Sequence, residues 1–103
     1  MAVYIITYDL HASHGEGYDA LYSEIENIGT GYWDCLESTW LVTSDKRAVE
    51  IRDQLRPHLK EGDRLLVARL DQEVAWLGFK DDCETWLNDY CSERPEEARQ
   101  PVA

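Results

Sequence analysis

Not one lysine or arginine precedes Lys46, although that stretch holds Asp9, Glu16, Asp19, Glu24, Glu26, Asp34, Glu37 and Asp45. A long segment of one sign repels a polyanion before contact. Sequence-independent nucleic-acid binding, which draws on Lys, Arg and counterion release, is therefore disfavoured there. Cysteine is also scarce. Cys35, Cys83 and Cys91 leave one thiol over in any intramolecular pairing and show no Cys-x-x-Cys spacing. That argues against a disulfide framework or a zinc knuckle and predicts three reduced side chains. No apolar run reaches the roughly 18 residues of a membrane span. The N-terminus MAVYIITYDL lacks the basic region and long apolar stretch of a signal peptide, so the expected location is cytoplasmic. No glycine-rich phosphate loop supports nucleotide binding.

What is present describes one small globule. The chain has 103 residues, 44% of them hydrophobic and 11% aromatic, enough for one core of two packed layers. Its formal net charge of -11 is unevenly spread. Residues 46–70 carry most of the cations, among them Lys46, Arg47, Arg52, Arg56 and Lys60, and residues 71–103 are acidic again.

Residues 3–9 (VYIITYD) form a short β-branched and aromatic run that predicts a central strand. Tyr18, Leu21, Tyr22, Ile25 and Ile28 recur at spacings of three and four and predict a helix, with Gly29 and Gly31 able to stop it. Residues 32–44 predict two strands joined by a tight turn at Glu37-Ser38. Ser44 or Asp45 can cap a second helix carrying Ala48, Val49, Ile51, Leu55 and Leu59, which Pro57 ends or kinks. The Glu61-Gly62-Asp63 turn leads into a strand over 64–70, residues 73–79 read as an irregular edge strand, and residues 81–91 as a short helix with Trp86 and Leu87 inward. Residues 92–103 hold two prolines and little to bury, and read as a flexible tail behind a domain of residues 1–91.

The expected fold is therefore α+β: a ferredoxin-like βαββαβ sandwich with a C-terminal edge strand and short helix. An open sheet face on so small a protein needs a cover, and a second copy is one. Trp33, Trp40 and Trp76 lie in or beside strands and read either as the contact of such a homodimer or as intramolecular core.

A first strand ending in Tyr8-Asp9-Leu10, a helix, Gly29, and an aromatic strand carrying Ser38 before a second hydrophobic strand resemble one known family. It comprises the small subunit of the CRISPR adaptation complex and its relatives, including the virulence-associated protein D toxins and short bacterial proteins of similar layout. The likeness runs over residues 3–70. It implies a ferredoxin-like homodimer and, for some members, a metal-dependent ribonuclease or deoxyribonuclease in which the aspartate ending the first strand holds a divalent cation. Asp9 occupies that position here.

The chemistry of such a site is plain. Two-fold symmetry would set one Asp9 opposite another, and paired hard oxygen ligands suit Mg2+ or Mn2+, which activate water and offset charge on a phosphodiester. Ser38 is a candidate for hydrogen bonding near the turn. His11 is a candidate acid or base and His14 a candidate metal ligand, since imidazole changes charge near neutral pH. Each has a plainer reading: Asp9 as a loop-stabilising side chain, the histidines as exposed polar residues. Active family members carry Arg or Lys just after the aspartate, where this chain has His11, Ser13, His14 and Glu16. Lys46, Arg47, Arg52 and Arg56 form either a basic patch or, interrupted by Glu50 and Asp53, a solvated helix with internal ion pairs.

Two functions stand side by side. One is a homodimeric metal-dependent endonuclease acting on RNA or DNA through Asp9, which needs a composite basic groove. The other is a non-catalytic acidic interaction module that imitates nucleic acid or binds a basic defence, toxin or repair protein.

Overall fold

The structure is a computed structural model that describes residues 1–11, 17–71 and 73–91; the predicted tail over 92–103 and the candidate ligand His14 lie outside the described residues. Four strands, β1 (Ala2–Asp9), β2 (Gly31–Leu36), β3 (Thr39–Ser44) and β4 (Arg64–Arg69), alternate with helices α1 (Asp19–Glu26) and α2 (Ala48–Leu55), and α3 (Asp81–Tyr90) follows. The sheet order is β2-β3-β1-β4 and every neighbouring pair is antiparallel. This is the ferredoxin-like α+β arrangement, with the β-branched and aromatic β1 at the centre.

Side-chain alternation sorts β1 onto two faces. Tyr4 and Ile6 enter the larger core with Tyr18, Leu21, Ile25 and Ile28 from α1 and its flanks, Trp40 and Val42 from β3, and Ile51 and Leu55 from α2. Val3 and Ile5 face the other way, against Trp33, Leu41 and Leu87.

Turn chemistry follows the sequence closely at two places. Glu37-Ser38 makes the β2–β3 turn, with Ser38 at φ 58, and Pro57 lies in a single 3-10 turn (Arg56–His58) that ends the second helix. The cap of α2 is not the expected one. Its boundary residue is Arg47, whose amide donates to the Glu50 carboxylate at 2.7 Å, while Ser44 Oγ accepts from the Lys46 amide at 3.0 Å. Gly29 has a different reason from the expected helix stop: a Cβ there would collide with the Thr43 carbonyl of β3, so only glycine admits that approach.

Two expectations are corrected on the second face. Residues 73–79 form no strand; Trp76 and Phe79 fold back into the smaller cluster, where burying aromatic area outweighs extending an edge ladder. Cys35 and Cys83 are joined in a disulfide, with Cα atoms 6.3 Å apart, so only Cys91 is a free thiol. Of the two readings of the tryptophans, intramolecular core describes Trp33 in the smaller cluster and Trp40 in the larger, each 4% exposed within one chain, while Trp76 is half-buried against the smaller cluster. The sheet face thought to need a second copy is covered in part by α3.

Candidate functional site

Asp9 ends β1 on the face shared with Thr7, by alternation, and lies opposite Arg64 in the β1–β4 register. Its carboxylate is 74% exposed and stands 3.7 Å from the Arg64 guanidinium. A shallow cavity of about 420 Å³ is lined by Thr7, Tyr8, Asp9, Arg64, Leu65 and Leu66. Ser38 reaches the same end of the sheet through its backbone: its carbonyl accepts from the Tyr8 amide at 3.2 Å and from Thr7 Oγ1 at 3.0 Å. The Thr7 and Thr39 hydroxyls meet at 3.1 Å. The structure thus brings Asp9, Ser38 and Arg64 to one end of the sheet, where Asp9 and Arg64 are exposed.

His11 is turned elsewhere. Its amide donates to Asp63 Oδ1 at 2.6 Å, the Lys60 amide to Asp63 Oδ2 at 2.7 Å, and the Tyr18 hydroxyl to both oxygens at 2.8 and 2.9 Å. Burial alone would raise the Asp63 pKa, but these donors outweigh it and hold the carboxyl below the usual aspartate range. Lys60 Nζ sits 4.5 Å from the Tyr18 ring centroid. Asp63 therefore ties the exit of β1, the start of α1 and the turn before β4 together. In the sequence Asp63 is legible only as a turn residue, and its spacing from Tyr18 gives no sign of the link.

The predicted basic patch is largely occupied within the chain. Lys46 Nζ donates to Gln54 Oε1 at 3.0 Å, and Asp53 faces Arg52 at 2.9 Å and Arg56 at 3.5 Å. Arg47 is exposed at the helix start. Gln54 also donates to Glu24 at 2.7 Å, while His58 stands 3.6 Å from the same carboxylate, a pair that is charged only when the imidazole is protonated.

A second cluster lies at the edge formed by α1 and β2. Tyr8, Tyr22, Trp40 and Tyr32 run ring to ring with centroids 6.3, 6.3 and 5.6 Å apart. Trp40 Nε1 donates to the Tyr8 hydroxyl at 2.9 Å. Burial pushes the Tyr8 phenol above its ordinary pKa, with Tyr22 and Asp34 adding to it and the Trp40 bond opposing it. Asp34, on β2, is likewise pushed up, first by burial and then by the charge of Glu26 on α1. Among the described residues neither Glu26 nor Asp34 faces a cation in an ion pair. Tyr32 is 44% exposed, so the row of rings opens to solvent beside these carboxylates. Asp19, Glu24 and Glu26 mark α1 as acidic in the sequence, but no spacing there shows the rings that adjoin it.

No group of three or more potential metal-ligating side chains is assembled among the described residues of this single chain. No protein-family model matches the chain, and no curated protein matches it. No helix among the described residues is long and apolar enough to cross a membrane.

Proposed function

We propose that this chain is a non-catalytic acidic interaction module that engages a basic protein partner through the α1–β2 edge. The observation that carries the reading is the row of rings from Tyr22 through Trp40 to the 44% exposed Tyr32, at an edge to which α1 brings Glu26 and β2 brings Asp34 with no cation paired to either among the described residues. The charge of Glu26 adds to the cost of ionising Asp34, a cost that an added cation relieves, and the aromatic faces at this edge suit a guanidinium or ammonium group. The cations Lys46, Arg52 and Arg56, in and beside α2, each have a partner inside the chain.

The test is titration with an arginine-rich peptide and with duplex DNA at several salt concentrations. Binding of the peptide, weakened severalfold by Asp34→Asn and by Glu26→Gln, is the expected result. Because Asp34 is ionised at a cost in the fold, Asp34→Asn should bind less well while being no less stable. Peptide binding indifferent to both substitutions would overturn the assignment to this edge.

The endonuclease reading has one observation in its favour. Arg64 stands across from Asp9 and can meet a phosphate, supplying from residues 46–69 the cation that the loop after Asp9 lacks. Mg2+ or Mn2+ would then be held by Asp9 of two copies. Since α3 covers part of the second sheet face, such a homodimer, in the expected cytoplasmic setting, has to be built on the open Asp9 end. Cleavage of RNA or DNA with either metal, lost in Asp9→Ala, would establish this activity over the module.

A further inference from the structure

The two clusters that flank the sheet are held in unlike ways. Of the residues in α3 only Leu87 is buried, and the helix has no side-chain hydrogen bond at its N-terminus. Asp81, its first residue, takes φ 55, in the left-handed region that aspartate tolerates better than most side chains but glycine prefers. The segment before it, residues 73–80, pairs with no strand. Trp76, Phe79 and Trp86 pack against Trp33 and Leu41 while remaining partly exposed, and Trp33 Nε1 donates to the Cys83 carbonyl at 3.0 Å. The one covalent tie between this cap and the sheet is the disulfide from Cys83 to Cys35 of the edge strand β2. Both cysteines are partly exposed. The bond therefore lies outside the fully buried interior and apart from the larger core.

We propose that the Cys35–Cys83 disulfide is a thiol-sensitive latch, and that its reduction lets residues 73–91 lift from the sheet as a unit while the four strands, α1 and α2 stay folded. The chemistry needs a dithiol reductant. Two successive exchanges break the protein S–S bond, leave Cys35 and Cys83 as thiols carrying the two hydrogens of the dithiol, and convert that reductant to a disulfide. The larger core does not depend on the cap, because none of its residues comes from 73–91. Opening would bring Val3, Ile5, Trp33 and Leu41 to solvent, giving the sheet an apolar face that the oxidised chain hides.

Hydrogen–deuterium exchange on the full chain, oxidised and after treatment with dithiothreitol in native buffer, tests this directly. Amides over 81–90 should exchange at least tenfold faster after reduction, while those of β1, β3 and α2 keep their protection. Native alkylation should label Cys35 and Cys83 only in the reduced sample. The double variant Cys35→Ser, Cys83→Ser should reproduce the reduced pattern without added thiol. The latch is overturned if exchange over 81–90 is unchanged by reduction, if β1 and β3 lose protection in step with α3, if the double variant fails to fold, or if alkylation and mass analysis find no disulfide in the oxidised chain. None of these readouts depends on what the chain binds.

Discussion

On one face of the sheet, α1 and α2 close over Ile6, Val42 and their neighbours, ten buried side chains in one continuous cluster. On the other, three buried side chains and a disulfide hold α3 in place. Burial of large apolar side chains, the main favourable term in folding, is thus concentrated on the first face. A cross-link placed on the poorer face supplies by restricting the unfolded chain what packing there cannot. The difference also bears on function. The face with surplus packing leaves a ring-lined acidic edge at its margin, and the thinly packed face leaves the Asp9 end of the sheet uncovered.

The sharpest way to break this comparison is in the larger cluster. Ile6 has no exposed surface, and Ile6→Ala should cost about 4 kcal/mol and lower the urea midpoint of the whole domain in one transition. Removing the disulfide by Cys35→Ser with Cys83→Ser should cost roughly 2–4 kcal/mol by thermal melting, with the loss concentrated in α3. If both changes produced the same cooperative loss everywhere, the two faces would not differ in the way described.

Smaller effects sharpen the picture at the joints. Asp63→Asn weakens the link among His11, Tyr18 and Lys60 and should cost about 1 kcal/mol at neutral pH, modest because water reaches the carboxylate. The folded-state pKa of Asp63 lies below its unfolded value. Its stabilisation is thus complete above the unfolded value, and is lost as pH falls through the folded one. Acid melts of the two proteins should accordingly converge at low pH. Asp34 has the opposite sign: its folded pKa is raised, so ionisation at neutral pH opposes folding. Asp34→Asn should therefore be neutral or slightly stabilising near pH 7, and any gain should vanish as pH falls through the raised value. Arg52→Ala, which breaks an exposed pair with Asp53, should change stability by no more than about 0.5 kcal/mol in a denaturant titration.

Much of the helix-side architecture was legible before any coordinates. The three-and-four spacing of Leu21, Ile25 and Ile28, the turn at Glu37-Ser38, and the break at Pro57 are all local signals, and all correspond to what the chain does. Asp9 was legible as a strand-end carboxylate. The second face was misread because its signals conflict: β-branched and aromatic residues over 73–79 look like a strand, while their apolar area is used across the sheet by Trp76 and Phe79. The tryptophans were ambiguous for a related reason, since burial by the same chain and burial by a partner ask for the same side chain.

The sequence by itself determined the periodicities, hence the order of strands and helices and which side of β1 each residue takes, because those depend on sterics and burial over a few residues. It also determined the formal net charge of -11 and its uneven spread along the chain. Only the tertiary structure decided that Cys35 meets Cys83 across 48 residues, that Asp63 gathers donors from three segments, and that Asp34 and Glu26 share an edge with a row of rings. Such contacts follow from how finished elements pack, and no spacing along the chain encodes a distance across the fold.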